Sequence, residues 1–74
     1  MEHFKSSYGT VVVEIQGERL NLQFTEDNLG CAEAEICMQE YLDSLEDKDN
    51  GKFGKNEIGR VEEWEEGLFV ADIY

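Results

Sequence analysis

Carboxylates are the groups in this chain whose number and spacing could do chemistry. Eighteen Asp and Glu stand against six Lys and Arg in 74 residues, a formal charge of −12 at neutral pH. Twelve of the eighteen form two groups, Glu33, Glu35, Glu40, Asp43, Glu46, Asp47 and Asp49 in one stretch and Glu57, Glu62, Glu63, Glu65 and Glu66 in another. Carboxylates so placed could act as an acid–base pair, hold a hard cation, or present an anionic surface. Acid–base work on a glycoside needs two carboxylates in different environments flanking a cleft. A chain this short has little room for the usual cleft of ~300–1,000 Å³. His3 stands near the terminus, and Ser6, Ser7 and Ser44 have no evident base partner. Phosphate-binding loops and nucleotide fingerprints are absent from the sequence. These features point away from an enzyme: no residue is assigned a catalytic role and no cofactor is expected.

The second possibility, a cation site, centres on residues 47–57, DKDNGKFGKNE. This run resembles the loop of an EF-hand: Asp47, Asp49, Gly51, Phe53 and Glu57 follow the family order of two acids, glycine, apolar residue and terminal glutamate. The resemblance implies a weak calcium site with Asp47, Asp49 and Glu57 as ligands. It departs from the family between Asn50 and Gly51, where the third side-chain ligand is missing, and lysines enter the ring that should surround a dication. The competing reading is a glycine-rich turn with solvated charges.

The third possibility is the surface itself. Carboxylates at i, i+3 and i+4 on a helix stand about 5–6 Å apart, comparable with successive backbone phosphates. An acidic helix beside an acidic hairpin could therefore imitate a nucleic-acid strand. In size, charge and lack of catalytic residues the chain resembles the small acidic inhibitors that phages encode, the DNA-mimic and anti-CRISPR proteins. The resemblance implies an inhibitor in the host cytoplasm that docks on a basic, nucleic-acid-binding surface of a partner protein complex. The expected partner-binding residues are Glu33, Ile36, Glu40, Asp43, Asp47, Glu62, Glu63, Glu65 and Glu66, with Trp64 adding short-range contact. Direct nucleic-acid binding and an anionic membrane are disfavoured by the same charge. An interaction subunit whose acidity serves only solubility is the bland alternative.

Asp27 to Asp47 reads as one amphipathic helix. At about 100° per residue, Cys31, Ala34, Met38, Tyr41, Leu42 and Leu45 form a stripe for the core. Glu33, Glu40, Asp43 and Asp47 gather opposite, together with Leu29 and Ile36. Thr25 or Asp27 is the expected cap. Before the helix, Val11, Val13 and Ile15, then Leu20, Leu22 and Phe24, alternate at the strand period. A two-residue turn at Gly17-Glu18 sets Ile15 against Leu20, Val13 against Leu22 and Val11 against Phe24. After the helix, a hairpin through Glu65-Glu66-Gly67 would set Trp64 against Leu68, Val61 against Ala71 and Arg60 against Asp72. The alternative there is a short helix capped by Asn56 and followed by one strand. Met1 to Ser7 reads as a loose leader from which Phe4 and Tyr8 could reach the sheet edge.

The expected fold is α+β, a small antiparallel sheet with one long helix on one face, ordered ββαββ or alternatively ββααβ, over residues 1–74 as a single domain. Hydrophobic residues at 41% argue for a folded chain in spite of the charge. The core is small enough that a homodimer, through a sheet edge or the Leu29/Ile36 patch, is a second arrangement to expect. No run approaches a membrane span or a signal peptide. Cys31 and Cys37 lie about 9 Å apart along one helix, too far for a disulfide, which suits reduced thiols in the cytoplasm.

Overall fold

The computed structural model describes residues 2–25, 29–49 and 57–74. Five strands and one helix follow in the order β1 (Glu2–Ser6), β2 (Gly9–Gln16), β3 (Arg19–Phe24), α1 (Cys31–Asp49), β4 (Glu62–Glu65) and β5 (Leu68–Asp72). All neighbours in the sheet β1-β2-β3-β5-β4 are antiparallel. The α+β class and the single helix on one face match expectation. The strand count does not, because the supposed leader is β1.

The β2–β3 hairpin has the expected register, with Ile15 opposite Leu20, Val13 opposite Leu22 and Val11 opposite Phe24. Its turn depends on Gly17 at φ +64°, a left-handed conformation that glycine adopts without steric cost and that two-residue hairpin loops require at their first position. Alternation then sends Val11, Val13, Leu20, Leu22 and Phe24 to one face, where all are buried. From β5, Phe69 and Ala71 join them, and Phe69 meets Phe24 edge to face at 5.5 Å. The helix lays Ala34, Cys37, Met38, Tyr41 and Leu42 on this surface. Ile58 and Val61 pack against the same cluster from the segment before β4.

The helix begins four residues later than its periodicity predicts. Gly30 is the cap: its carbonyl accepts from Ala34 N at 3.0 Å, and Glu33 reaches back to accept from Gly30 N at 2.8 Å. That is the return arm of a capping box. Thr25 is not the cap, because its hydroxyl donates to the Thr10 carbonyl across the sheet at 2.7 Å; Asp27 lies outside the described residues. The later start moves Leu29 off the helix, to the position before the cap, where it packs half-buried against the core. Cys31 becomes the first helical residue and is exposed, while Cys37, outside the expected stripe, is buried.

β1 forms because the backbone of Glu2–Ser6 completes the ladder of β2, and its side chains grip the helix. Phe4 meets Tyr41 edge to face at 5.4 Å, and the Tyr41 hydroxyl donates to Glu2 at 2.7 Å. His3 therefore belongs to a strand and not to a frayed end, while Tyr8 stays largely exposed in the turn.

The second hairpin forms in place of the alternative helix. Its expected register implies Glu62 opposite Val70 and Glu63 opposite Phe69, and both pairs are present. The register then slips by one, so that Glu65 and not Trp64 faces Leu68. Trp64 is the extra residue of a bulge, and the turn tightens to Glu66-Gly67, with Gly67 at φ +80°. Arg60 and Val61 precede the strand, so the expected Arg60–Asp72 and Val61–Ala71 pairs are absent. Asp72 instead stands opposite Arg19 with their charges 3.8 Å apart, and its carbonyl accepts from Gly59 N at 2.8 Å.

Two substitutions test this account. Leu22→Ala should cost about 2–5 kcal/mol, a large share of the ~4–11 kcal/mol expected of a chain this size, and show as a much lower denaturant midpoint at unchanged slope. Glu33→Ala should lower Tm by roughly 4–8 °C for the loss of about 1 kcal/mol, whereas Glu35→Ala should leave it unchanged; equal effects would refute the capping role.

Candidate functional site

The expected binding residues separate into two places and several kinds of environment. The helix packs chiefly over β1 and β3, whereas β4 is the edge strand at the far end of the sheet from β1. On the helix, Ile36 is 43% exposed, and Glu35 and Asp43 are exposed beside it. Asp43 accepts from Gln39 at 3.2 Å, one turn earlier. Glu33 and Glu40 are half-buried and already engaged, Glu33 in the cap and Glu40 accepting from Ser7 N at 3.0 Å. Asp47 lies within the helix, and its side chain is outside the described residues. At the other end Glu62, Glu63, Glu65 and Glu66 are all exposed, as is Trp64 at 53%. Glu63 leans back to accept from Gly67 N at 3.4 Å.

Residues 50–56, most of the EF-hand-like run, lie outside the described residues, as do the side chains of Asp47 and Asp49. Glu57 is exposed, and its backbone exchanges two hydrogen bonds with Tyr74. Among the described residues no three His, Cys, Asp or Glu side chains converge as a metal site.

The sequence carries no local signal for the polar hub at Ser6. Its buried hydroxyl donates to the Gly9 carbonyl at 2.7 Å and accepts from Tyr8 N and from the Cys37 thiol, each at 3.1 Å. Every hydrogen-bonding capacity of that hydroxyl is filled. With the Ser7–Glu40 bond it clasps the β1–β2 turn to the helix. Burial pushes the Cys37 thiol above its ordinary pKa, and the nearby charges of Glu40 and Glu33 add to the shift.

The face of the sheet opposite the helix is the other unforeseen feature. Pairing sets His3 beside Val12, Lys5 beside Thr10, Glu14 beside Asn21, Arg19 beside Asp72 and Asn21 beside Val70 on that side. A hollow of about 190 Å³ lies among Val12, Glu14, Asn21, Gln23 and Leu68. The Asn21 side-chain oxygen is buried and accepts no hydrogen bond from the described residues. A second hollow, of about 140 Å³, is lined by Arg19, Arg60, Glu62, Trp64, Val70, Asp72 and Tyr74. Arg19 lies over the Trp64 ring at 5.1 Å, within cation–π range.

This arrangement sorts the charge. The Lys and Arg side chains that the structure describes, Lys5, Arg19 and Arg60, belong to the open face or line its hollow. None of them stands on the helix, whose described charges are all carboxylates. Among the described residues no helix is long and apolar enough to cross a membrane. No protein-family model, curated protein or solved structure matches the chain.

The buried thiol yields a prediction with a fixed sign. Because the folded state holds Cys37 protonated to higher pH than the unfolded chain does, its contribution is intact at neutral pH. It is lost as pH rises above the unfolded thiol value of about 8.5 and through the raised folded value. Cys37→Ser should flatten that alkaline decline in stability. A maleimide should label exposed Cys31 in the native protein and Cys37 only on unfolding; rapid native labelling of Cys37 would contradict the burial described.

Proposed function

We propose that the protein acts by occupancy, docking its acidic surface on a basic, nucleic-acid-binding surface of a partner protein. The sorting of charge supports this reading best. Two of the helix carboxylates that the structure describes, Glu35 and Asp43, are exposed on the same helix as an exposed isoleucine, Ile36, with no described cation on that helix. Such a patch attracts a cationic surface from a distance and offers one apolar residue to desolvate on contact. Glu35, Ile36 and Asp43 are its centre, because Glu33 and Glu40 are committed to the cap and to the turn clasp. The edge-strand acids Glu62, Glu63, Glu65 and Glu66 extend the negative field at the other end of the sheet. In this reading the protein is an inhibitor in the manner of the phage-encoded DNA mimics, it has no catalytic role, and its partner resides in the cytoplasm.

The test is capture from cell lysate on the immobilised full chain, followed by elution with duplex DNA. Retained proteins should be nucleic-acid-binding and should be released by the duplex. A retained partner without a basic surface, or one that DNA fails to displace, would overturn the proposal. With a partner in hand, charge and contact should separate kinetically. Reversing Glu35 and Asp43 to Lys should slow association and flatten its salt dependence, since exposed charges act over only about 8–10 Å at physiological salt. Ile36→Asp should instead shorten the lifetime of the complex; an unchanged lifetime with the fold intact would remove Ile36 from the interface.

A further inference from the structure

We infer that the open face of the sheet is a self-association surface, occupied by the same face of a second copy. The inference does not rest on the docking proposed above, whose centre, Glu35, Ile36 and Asp43, is on the helix; Glu62 alone among the acids named there also lines the hollow used here. Three features of the face carry it.

Composition is the first. Trp, Tyr and Arg are the types most enriched among residues that dominate binding energy. Trp64, Tyr74, Arg19 and Arg60 all line one hollow on this face. Val12 and Leu68, both half-buried, continue it inward to the first hollow, beside the buried Asn21 oxygen that receives no donor from the described residues.

Charge is the second. A two-fold interface puts a patch against its own copy, so the patch must complement itself. A surface of one sign cannot do this. The second hollow carries both signs side by side, Arg19 and Arg60 with Glu62 and Asp72. A rotation by half a turn can therefore set each sign against the other. The helix side, with carboxylates as its only described charges, would repel itself in the same arrangement.

Geometry is the third. Two sheets stack about 10 Å apart, and each helix lies on the outer side of its own sheet. The two acidic helices are then separated by roughly 30 Å, which is several screening lengths at physiological salt. Pairing through the open face thus hides the balanced surface and leaves both acidic surfaces outward. A nucleic acid or an anionic membrane as occupant would have to approach the whole charge of −12.

Sedimentation equilibrium of the full chain at physiological salt, from micromolar to about 1 mM, where even a weak Kd of that order is visible, tests the inference. The expected result is a monomer–dimer equilibrium. Trp64→Ala should weaken it about tenfold or more, as loss of a central aromatic contact does, and Ile36→Asp should leave it unchanged. Arg60→Glu, at an exposed position ahead of β4, removes the complementary sign without touching the core and should weaken it too, so a fold defect in one variant cannot decide the matter. A chain that stays monomeric at the highest concentration, or a dimer that Ile36→Asp breaks while Trp64→Ala and Arg60→Glu do not, would overturn it.

Discussion

One helix can cover only one face of a sheet, and the rest of this structure follows from that limit. Five strands at about 4.8 Å span roughly 20 Å, while a helix with its side chains is about 10–12 Å across. The helix takes the half of the sheet nearest β1, and Ile58 and Val61 add apolar cover before β4. Most of the apolar residues of β2, β3 and β5 lie on that one side. What remains for the other face is a mixture of polar, charged and half-buried apolar residues around Val12, Leu68 and Val70. Val70 is buried without belonging to the core cluster, since its neighbours on the open face shield it. The two faces of the sheet are therefore different surfaces made by the same alternation.

The helix is held in place as much by polar contacts as by its apolar stripe. A buried hydroxyl with unmet hydrogen bonds would cost about 1–3 kcal/mol, but Ser6 is satisfied from three directions by Gly9, Tyr8 and Cys37. Glu40 takes the Ser7 amide, and Glu2 takes the Tyr41 hydroxyl. These bonds join the first strand and its turn to the helix, which explains how an edge strand with one large apolar residue keeps its place. They tie down the Glu2 and Glu40 carboxylates, as the cap ties down Glu33. Counting acids in a sequence overstates the surface that a partner can meet.

The parts of the fold legible in the sequence were those in which local chemistry and periodicity agree. The β2–β3 hairpin is the clearest: a glycine turn and two alternating runs specify one register, and a slip by one residue would turn every apolar side chain outward. The helix was legible in its body and misread at its start, because Thr25 and Asp27 have capping chemistry while the cap that forms, Gly30, is recognisable only through Glu33 three residues on. β1 was missed because Glu2–Ser6 carries only one large apolar residue; its reasons for being a strand lie in Tyr41 and Cys37, more than thirty positions away. The bulge at Trp64 was invisible for a related reason. A glutamate-rich strand fixes register weakly, and the tertiary setting of Arg19 and Val70 decides where its one large ring goes. Of the site residues, Ile36, Asp43 and the four glutamates of the second hairpin stand exposed as expected. The roles of Glu33 and Glu40 needed the folded backbone to appear.

The separation of charge from contact gives the molecule two surfaces with different physics. Carboxylates on the helix act through the field, which is long in reach, tolerant of geometry and weakened by salt. In the self-association proposed above, Trp64, Arg19 and Tyr74 act on contact, where shape and desolvation decide the outcome. Sharing one face would set these demands against each other, since a desolvated arginine–tryptophan pair amid surplus carboxylates loses the balance of signs that a close interface needs, and a field source crowded with cations loses strength. The pleat separates even adjacent residues: Arg19 and Leu20 are neighbours in sequence, yet one joins the open face and the other the core beneath the helix. A charge of −12 on the whole chain is therefore compatible with a surface that is locally neutral, and the alternation of β3 makes both from a single strand.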